Sequence, residues 1–227
     1  MTQAISSRCC SPSQLSLWGE TDVGQVTSGV RAVLSHPVVY EAFQRIMGAK
    51  RGREWLVCKF IRPFPGMRIL DLGCGPANIL ASLPADVAYT GYDMSAEYIA
   101  AAEEKFGRRG TFHCRLLEQA EVAALEPFDL VMGIGVLHHL DDRSARQFMT
   151  LAKAALKPGG RVLTHDACYA QGQNPIARFL INRDRGQHVR GMADYRSLAE
   201  GTFTTITGAV THWAWPPYTH WTMECSG

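Results

Sequence analysis

Residues 67–79, MRILDLGCGPANI, constrain the fold of this chain more than any other stretch. They read as a short buried strand over 67–71, a glycine-rich turn, and a helix start. Gly73 and Gly75 let the backbone turn sharply and approach a ligand with no Cβ in the way. Pro76 suits the first turn of a helix, where its missing N–H costs nothing. A strand–turn–helix of this kind lies at the carboxyl edge of a parallel sheet, where open α/β sheets bind ligands. The N–H groups of the turn are expected to face that ligand. Asp71 closes the strand with a carboxylate aimed at the same crevice, which suits a ligand carrying a cation as well as an anion.

The rest of the chain alternates in the way such a sheet requires. Strands are expected over 67–71, 87–92, 111–115, 128–134 and 161–166. Between them come helices over 77–83, over 96–106 with Ser95 as cap and Gly107 as stop, weakly over 119–125, and strongly after Asp141. That last helix shows an apolar face of Ala145, Phe148, Met149, Ala152, Ala155 and Leu156. Near-continuous apolar strands between helices mean a parallel sheet covered on both faces. The last quarter differs: helices near 174–182 and 194–200, then two strands around Pro216 and Pro217. Before the sheet, Pro37 opens a helix with Val39, Phe43, Ile46 and Met47 on one face, and PFPG ends the helical region at 63–66. Residues 1–27, rich in Ser, Thr, Gly and Gln, read as a tail or flap.

Composition narrows the function classes. The 227 residues carry 23 basic and 21 acidic side chains, so no global field marks a nucleic-acid binder. No window approaches eighteen consecutive apolar residues, and MTQAISSRCCSPSQ has no apolar run of the signal-peptide kind. The seven cysteines have no metal-ligand spacing and no even framework. A cytoplasmic protein with reduced thiols, no metal and no membrane partner is expected.

The dinucleotide pattern G-x-G-x-x-G fails here, because Asn78 takes its last position. What fits is D-x-G-x-G followed by an acid at the end of the next strand. Asp93 in TGYDMS supplies it 18 residues after Gly75, 93 − 75. An acid at that distance can hold both hydroxyls of an adenosine ribose. With LDLGCG, GYDMS, FDLVMGIGVLHHL and LKPGGRVL in order, residues 35–227 resemble the class I S-adenosylmethionine-dependent methyltransferases.

The resemblance implies a doubly wound, mostly parallel seven-stranded Rossmann-like sheet in the order 3-2-1-4-5-7-6, closed by an antiparallel hairpin. One domain over 28–227 is expected. It divides into N-terminal lid helices over 28–62, a cofactor-binding core over 67–166, and a substrate-side segment with the hairpin over 167–227. The implied cofactor is S-adenosyl-L-methionine. Asp71, Gly73, Cys74 and Gly75 would cradle it, Asp93 would hold the ribose and Met94 would pack on the adenine. Leu117 follows strand three, and the backbone of Gly133 and Ile134 would meet the methionine part. The sequence departs from the family pattern in three places. Ala77 replaces a glycine. The acid that accepts the adenine amino group is missing at Arg115, Leu116 and Leu117, with Glu118 or Gln119 as nearby substitutes. No N-P-P-Y motif follows strand four, which argues against methylation of amino groups on bases or protein glutamine.

The acceptor end is read from what stands in place of that motif. Adjacent residues at a helix start point roughly 100° apart, so His138 and His139 cannot both face a pocket. The resemblance to small-molecule methyltransferases makes His138 the candidate catalytic residue. Asp166 and Tyr169 leave strand five at the active edge, and Tyr40 and Phe43 on the lid are further substrate candidates. Arg178, Arg183, Arg185 and Arg190 against Asp184 make a local excess that suits an anionic small molecule. The expected reaction is methylation of a small molecule, at oxygen by preference. A cofactor-retaining relative that cyclises or only binds, and an NAD(P)-dependent oxidoreductase, are the alternatives.

Overall fold

The computed structural model describes residues 49–184 and 186–227. The expected tail and most of the expected lid, with Tyr40 and Phe43, lie outside the described residues, as does Arg185. Eight strands are present among the described residues: β1 Arg68–Leu72, β2 Ala88–Asp93, β3 Gly110–Cys114, β4 Phe128–Ile134, β5 Leu156–Tyr169, β6 Arg190–Gly191, β7 Thr205–Ala214 and β8 Pro217–Ser226. They pair in the order β3-β2-β1-β4-β5-β8-β7, with the two-residue β6 beside β5. Pairing is parallel from β3 through β5 and antiparallel for β8 and β7. Apart from β6, this is the expected order.

The alternation of side chains along the central strands explains the two cores. Leu70, Val131 and Val162 point to one face, where helix α4 Asp142–Ala154 covers them with Phe148, Met149 and Ala152. Ile69, Leu130, Met132 and Leu163 point to the other, under helix α1 Ala49–Leu56 and the π turn Val57–Ile61 that continues it. A strand buried on both faces reads as a continuous apolar run, as these do. The remaining helices are α2 Ala96–Phe106, α3 Gln119–Val122, α5 Pro175–Ile181 and α6 Met192–Ala199. Ser95, Asp141 and Asn174 cap α2, α4 and α5, each accepting a hydrogen bond from a first-turn N–H. No helix among the described residues is long and apolar enough to cross a membrane.

Two elements differ from expectation. The helix after the glycine turn is a 3-10 turn, Asn78–Ser82, and Pro76 lies outside it. Ala77 causes this: its φ of 50° is left-handed, and such a residue interrupts an α-helix. The second difference is β5, which begins at Leu156 and takes in the KPGG segment. Gly159 there has a φ of 78°, and the register against β4 shifts between Phe128 and Leu130. The glycine bends the strand rather than ending a helix before it.

Candidate active site

The glycine turn is shaped from within. The N–H groups of Gly73 and Cys74 both donate to the Tyr92 carbonyl, at 2.8 and 3.0 Å. The Gly75 N–H donates to Asp93 Oδ2 at 2.9 Å, and the Ala77 N–H donates to the Cys74 carbonyl at 3.0 Å. The expectation that these donors face the ligand is therefore corrected. The Tyr92 carbonyl, on the β2 residue paired with Leu72 at the end of β1, takes two of them. A pyrophosphate needs such donors free, which counts against the oxidoreductase alternative. What the turn offers is close approach: a Cβ on Gly75 would meet nothing within 4 Å.

The acids lie either side of this turn. Asp93 accepts from Gly75 on one oxygen and from the Ser95 N–H on the other, at 2.8 Å. Burial raises its pKa while those two bonds lower it. Each oxygen keeps a second lone pair for a ribose hydroxyl. Asp71 is buried, with Oδ2 accepting from the Tyr89 hydroxyl at 2.6 Å and Oδ1 without a hydrogen-bond partner. Burial pushes its carboxyl up to about 7 against the pull of Tyr89. Sequence reasoning missed Tyr89. The available signal was a tyrosine in a buried strand, whose hydroxyl needs a partner. Cys74 lies over Gly91, where an added Cβ would sit 2.7 Å from its Sγ.

Met94 and Leu116 flank this end with partly exposed side chains. Leu117 does not: it is buried in the α4-side core, because its side chain alternates to the opposite direction from Leu116. Glu118 is also committed. Its side chain accepts from the Glu121 N–H in a capping box for α3, and Glu121 in turn pairs with Arg115.

The turn after β4 closes over the glycine loop. Gly73 has a φ of 79°, and a Cβ there would lie 2.6 Å from Val136 Cγ2. Gly133 is a packing glycine as well, since a Cβ would lie 2.6 Å from the Phe148 ring. Ile134 is half-buried against the α1-side core. The Gly135 N–H donates to the His165 carbonyl at 2.8 Å, so the chain stays tied to β5 until it turns at a φ of 73°.

That turn delivers His138. Its Nδ1 lies 2.9 Å from Asp166 Oδ1, which also accepts from the His138 backbone N–H at 3.3 Å. Its Nε2 faces Asp184 Oδ1 at 3.6 Å. Burial alone would lower this imidazole, but the bonds to Asp166 and Asp184 outweigh it and raise the pKa to about 9. His139 stands beside it with ring centroids 4.2 Å apart. Asp184, the lone acid of the arginine-rich segment, was read only as a counter-charge. It accepts from the Tyr218 hydroxyl and the Gly186 N–H. Burial raises its pKa, but His138, Tyr218 and Gly186 together hold it well below the usual carboxylate range.

The arginines separate. Arg190 is buried, and its guanidinium donates to the carbonyls of Leu137, Leu140 and His188 and to Asp142. It is a clamp on the His138 turn, so it leaves the anion-binding count. Arg178 lies over Tyr169 and Arg183 over Phe179, both exposed. Tyr169 donates to Asn182 at 2.8 Å. On the α1 face, His165 stacks on His220 with centroids 4.4 Å apart, and Tyr218 adjoins His220. Burial drives the His165 imidazole down to about 4 and His220 well below its ordinary value. Of the C-terminal aromatics, Trp221 is core, Trp213 packs edge-on against Trp55, and Trp215 is exposed.

A sheet in this order, with a D-x-G-x-G turn after β1 and an acid at the end of β2, has the class I methyltransferase architecture. Comparison with known proteins agrees. The methyltransferase domain family matches residues 70–162. A ubiquinone biosynthesis O-methyltransferase from Dinoroseobacter shibae is 36% identical over 148 residues, covering 63% of this chain and 55% of that one. A cyclopropane-fatty-acyl-phospholipid synthase from Escherichia coli K12 is 27% identical over 119 residues, 52% of this chain and 30% of that one. The chain thus spans little more than half the length of the first relative and less of the second. Among solved structures, phosphoethanolamine N-methyltransferase 2 of Haemonchus contortus, with S-adenosylhomocysteine, superposes with a TM-score of 0.66 at 16% identity, over 86% of this chain and 58% of that one. Magnesium protoporphyrin IX methyltransferase from Synechocystis PCC 6803 gives 0.61 at 17%, over 86% and 97%. The chain is thus similar to the class I S-adenosylmethionine-dependent methyltransferases, in the matched residues 70–162 and in fold. The residues present fit that cofactor: an acid with spare lone pairs at Asp93, an orphaned buried oxygen on Asp71, and open space above Gly75.

Proposed function

We propose that this protein transfers the methyl group of S-adenosyl-L-methionine to an oxygen atom of a small molecule. The cofactor supplies an electrophilic methyl on a sulfonium. Asp93 would hold its ribose, Met94 and Leu116 would flank its adenine, and the Gly73–Gly75 turn would let its chain approach the backbone. The observation that carries the reading is the His138–Asp166 pair. It sits on the turn whose Val136 touches the glycine loop, so an acid–base pair adjoins the cofactor turn. Asp166 fixes the ring through Nδ1, which leaves Nε2 as the nitrogen that exchanges a proton with an acceptor hydroxyl. The remaining contribution of the chain is alignment and exclusion of water.

An anionic group on the acceptor would be read by Arg178 and Arg183, since Arg190 is committed elsewhere. A cytoplasmic location goes with the free thiols of Cys58, Cys74, Cys114, Cys168 and Cys225. The test is methyl-labelled donor incubated with a metabolite extract, with S-adenosylhomocysteine binding measured by calorimetry. His138→Ala should lower turnover by about 10²-fold or more while cofactor affinity stays near wild type. An equal loss of turnover from His139→Ala would remove the catalytic role from His138.

A further inference from the structure

Four side chains from four segments form one line of polar contacts: Tyr218 on β8, Asp184 after α5, His138 after β4 and Asp166 on β5. The Tyr218 hydroxyl donates to Asp184 Oδ2, Asp184 Oδ1 faces His138 Nε2 at 3.6 Å, and His138 Nδ1 lies 2.9 Å from Asp166 Oδ1. We infer that Asp184 is a positioning residue for the reaction: it covers His138 Nε2, keeps the imidazole charged in the closed arrangement, and must withdraw for that nitrogen to take the acceptor's proton. The inference rests on the role of His138 proposed above.

The geometry sets Asp184 apart from an incidental surface acid. The segment that carries it folds back on Asp184 and is tied to the His138 turn four residues further on. The His188 N–H donates to the His138 carbonyl at 2.9 Å, and the Gly186 N–H donates to Asp184 Oδ1 at 3.1 Å. Residue 186 has to be glycine, because a Cβ would lie 2.2 Å from His138 Cδ2 and 2.6 Å from its carbonyl oxygen. The chain is thus pressed against the imidazole ring, and the carboxylate two residues earlier is brought onto Nε2. The two contacts to His138 differ in strength. The Asp166 contact is a hydrogen bond reinforced by the backbone N–H. The Asp184 contact, at 3.6 Å, lies beyond hydrogen-bond length and is the one that can be exchanged. A ligand hydroxyl arriving at Nε2 replaces Asp184, and an imidazole left with one carboxylate instead of two releases its proton more readily.

The other titratable groups around His138 do not supply this control. His139 lies alongside on the same turn, and His165 and His220 face it from β5 and β8. Burial keeps those two neutral, so they add no charge to hold the imidazolium. The proton balance is simple. As Asp184 gives way, the Nε2 proton passes to solvent; the acceptor O–H bond then breaks, its proton goes to Nε2 of the neutral His138, and the donor's S–CH3 bond breaks as the methyl bonds to the oxygen. The donor leaves as the neutral thioether.

The experiment titrates the His138 ring by NMR in wild type, Asp184→Asn and Asp184→Glu, with no acceptor needed. Asp184→Asn should lower the His138 pKa by about one unit or more, and Asp184→Glu should restore most of it. S-adenosylhomocysteine calorimetry on each variant checks that the cofactor half is intact. With the acceptor found in the labelled-donor screen, the ascending limb of kcat/KM for the acceptor against pH should move down with the NMR value in Asp184→Asn, while KM for the donor holds. An unmoved His138 titration overturns the inference. So does a shifted titration with an unmoved kcat/KM limb. If wild type methylates nothing, the proposed function fails while the titration still decides whether Asp184 governs the charge of His138.

Discussion

Replacing Arg190 by Met removes the guanidinium that fastens the His138 turn and keeps a side chain of similar length. Three carbonyls lose a donor: Leu137 at 2.8 Å, His188 at 2.9 Å and Leu140 at 2.6 Å. The Leu137 bond is fully buried, and an orphaned buried carbonyl costs about 1–3 kcal/mol. The other two are partly buried and count for about 0.5–1.5 kcal/mol each. Their sum is about 2–6 kcal/mol. The ion pair to Asp142 adds little, because the Asp142 side chain is 72% exposed and such pairs are worth about 0–1 kcal/mol. For a chain of this length each kcal/mol shifts the melting temperature by roughly 2–4 °C, so Arg190→Met should melt at least about 4 °C lower. Asp142→Asn should melt within about 4 °C of wild type, and above Arg190→Met. Arg190→Lys should recover little, since one ammonium cannot reach three separate carbonyls. Calorimetric melting of the three variants decides it. Arg190→Met melting with wild type would refute the clamp. Asp142→Asn losing as much as Arg190→Met would show that the ion pair, rather than the carbonyl set, holds the turn.

Asp93→Ala should weaken S-adenosylhomocysteine by about 1.5–3 kcal/mol per ribose bond lost, measured by calorimetry. A folded variant with wild-type affinity would end the ribose assignment. Gly133→Ala should destabilise by about 1–3 kcal/mol in urea unfolding, because its Cβ would overlap the Phe148 ring at 2.6 Å; a neutral result would mean that the ring moves freely. His138 should also give the fold a pH dependence. Its pKa rises from 6.5 to about 9 on folding, so its stabilisation is complete below 6.5 and is lost as pH climbs through 9. The shift of about 2.5 units corresponds to about 3 kcal/mol. Urea unfolding at pH 6.5 and 9.5 should show that loss in wild type, and His138→Gln should lack it.

The sheet was legible because its strands announce themselves twice, by apolar composition and by the turns between them. Strand β4 fell on its expected residues, and three helix caps were set by a Ser, an Asp and an Asn whose side chains have one obvious use. Local conformation was harder. Ala77 reads as a helix residue by propensity, yet it adopts a left-handed φ that only tertiary packing can impose, being wholly buried. The glycines of the turn were taken as backbone devices, but where their N–H groups point depends on which β2 carbonyl stands beside the end of β1. The register of Leu72 against Tyr92 decides that, and register at that scale is not written in composition.

The acceptor end was less legible because charge in a sequence has no address. Four arginines within thirteen residues looked like an anion site, and Asp184 looked like the charge that offset them. Folding assigned them opposite work. Arg190 went inward to bind carbonyls, which a charged group does only where it can satisfy its donors. Arg178 and Arg183 went outward to aromatic faces. Asp184 went to His138, brought there by a glycine two residues later that leaves room for the imidazole ring. The electrostatics nearest His138 are therefore two carboxylates around one imidazole, a different field from the one an arginine count suggests.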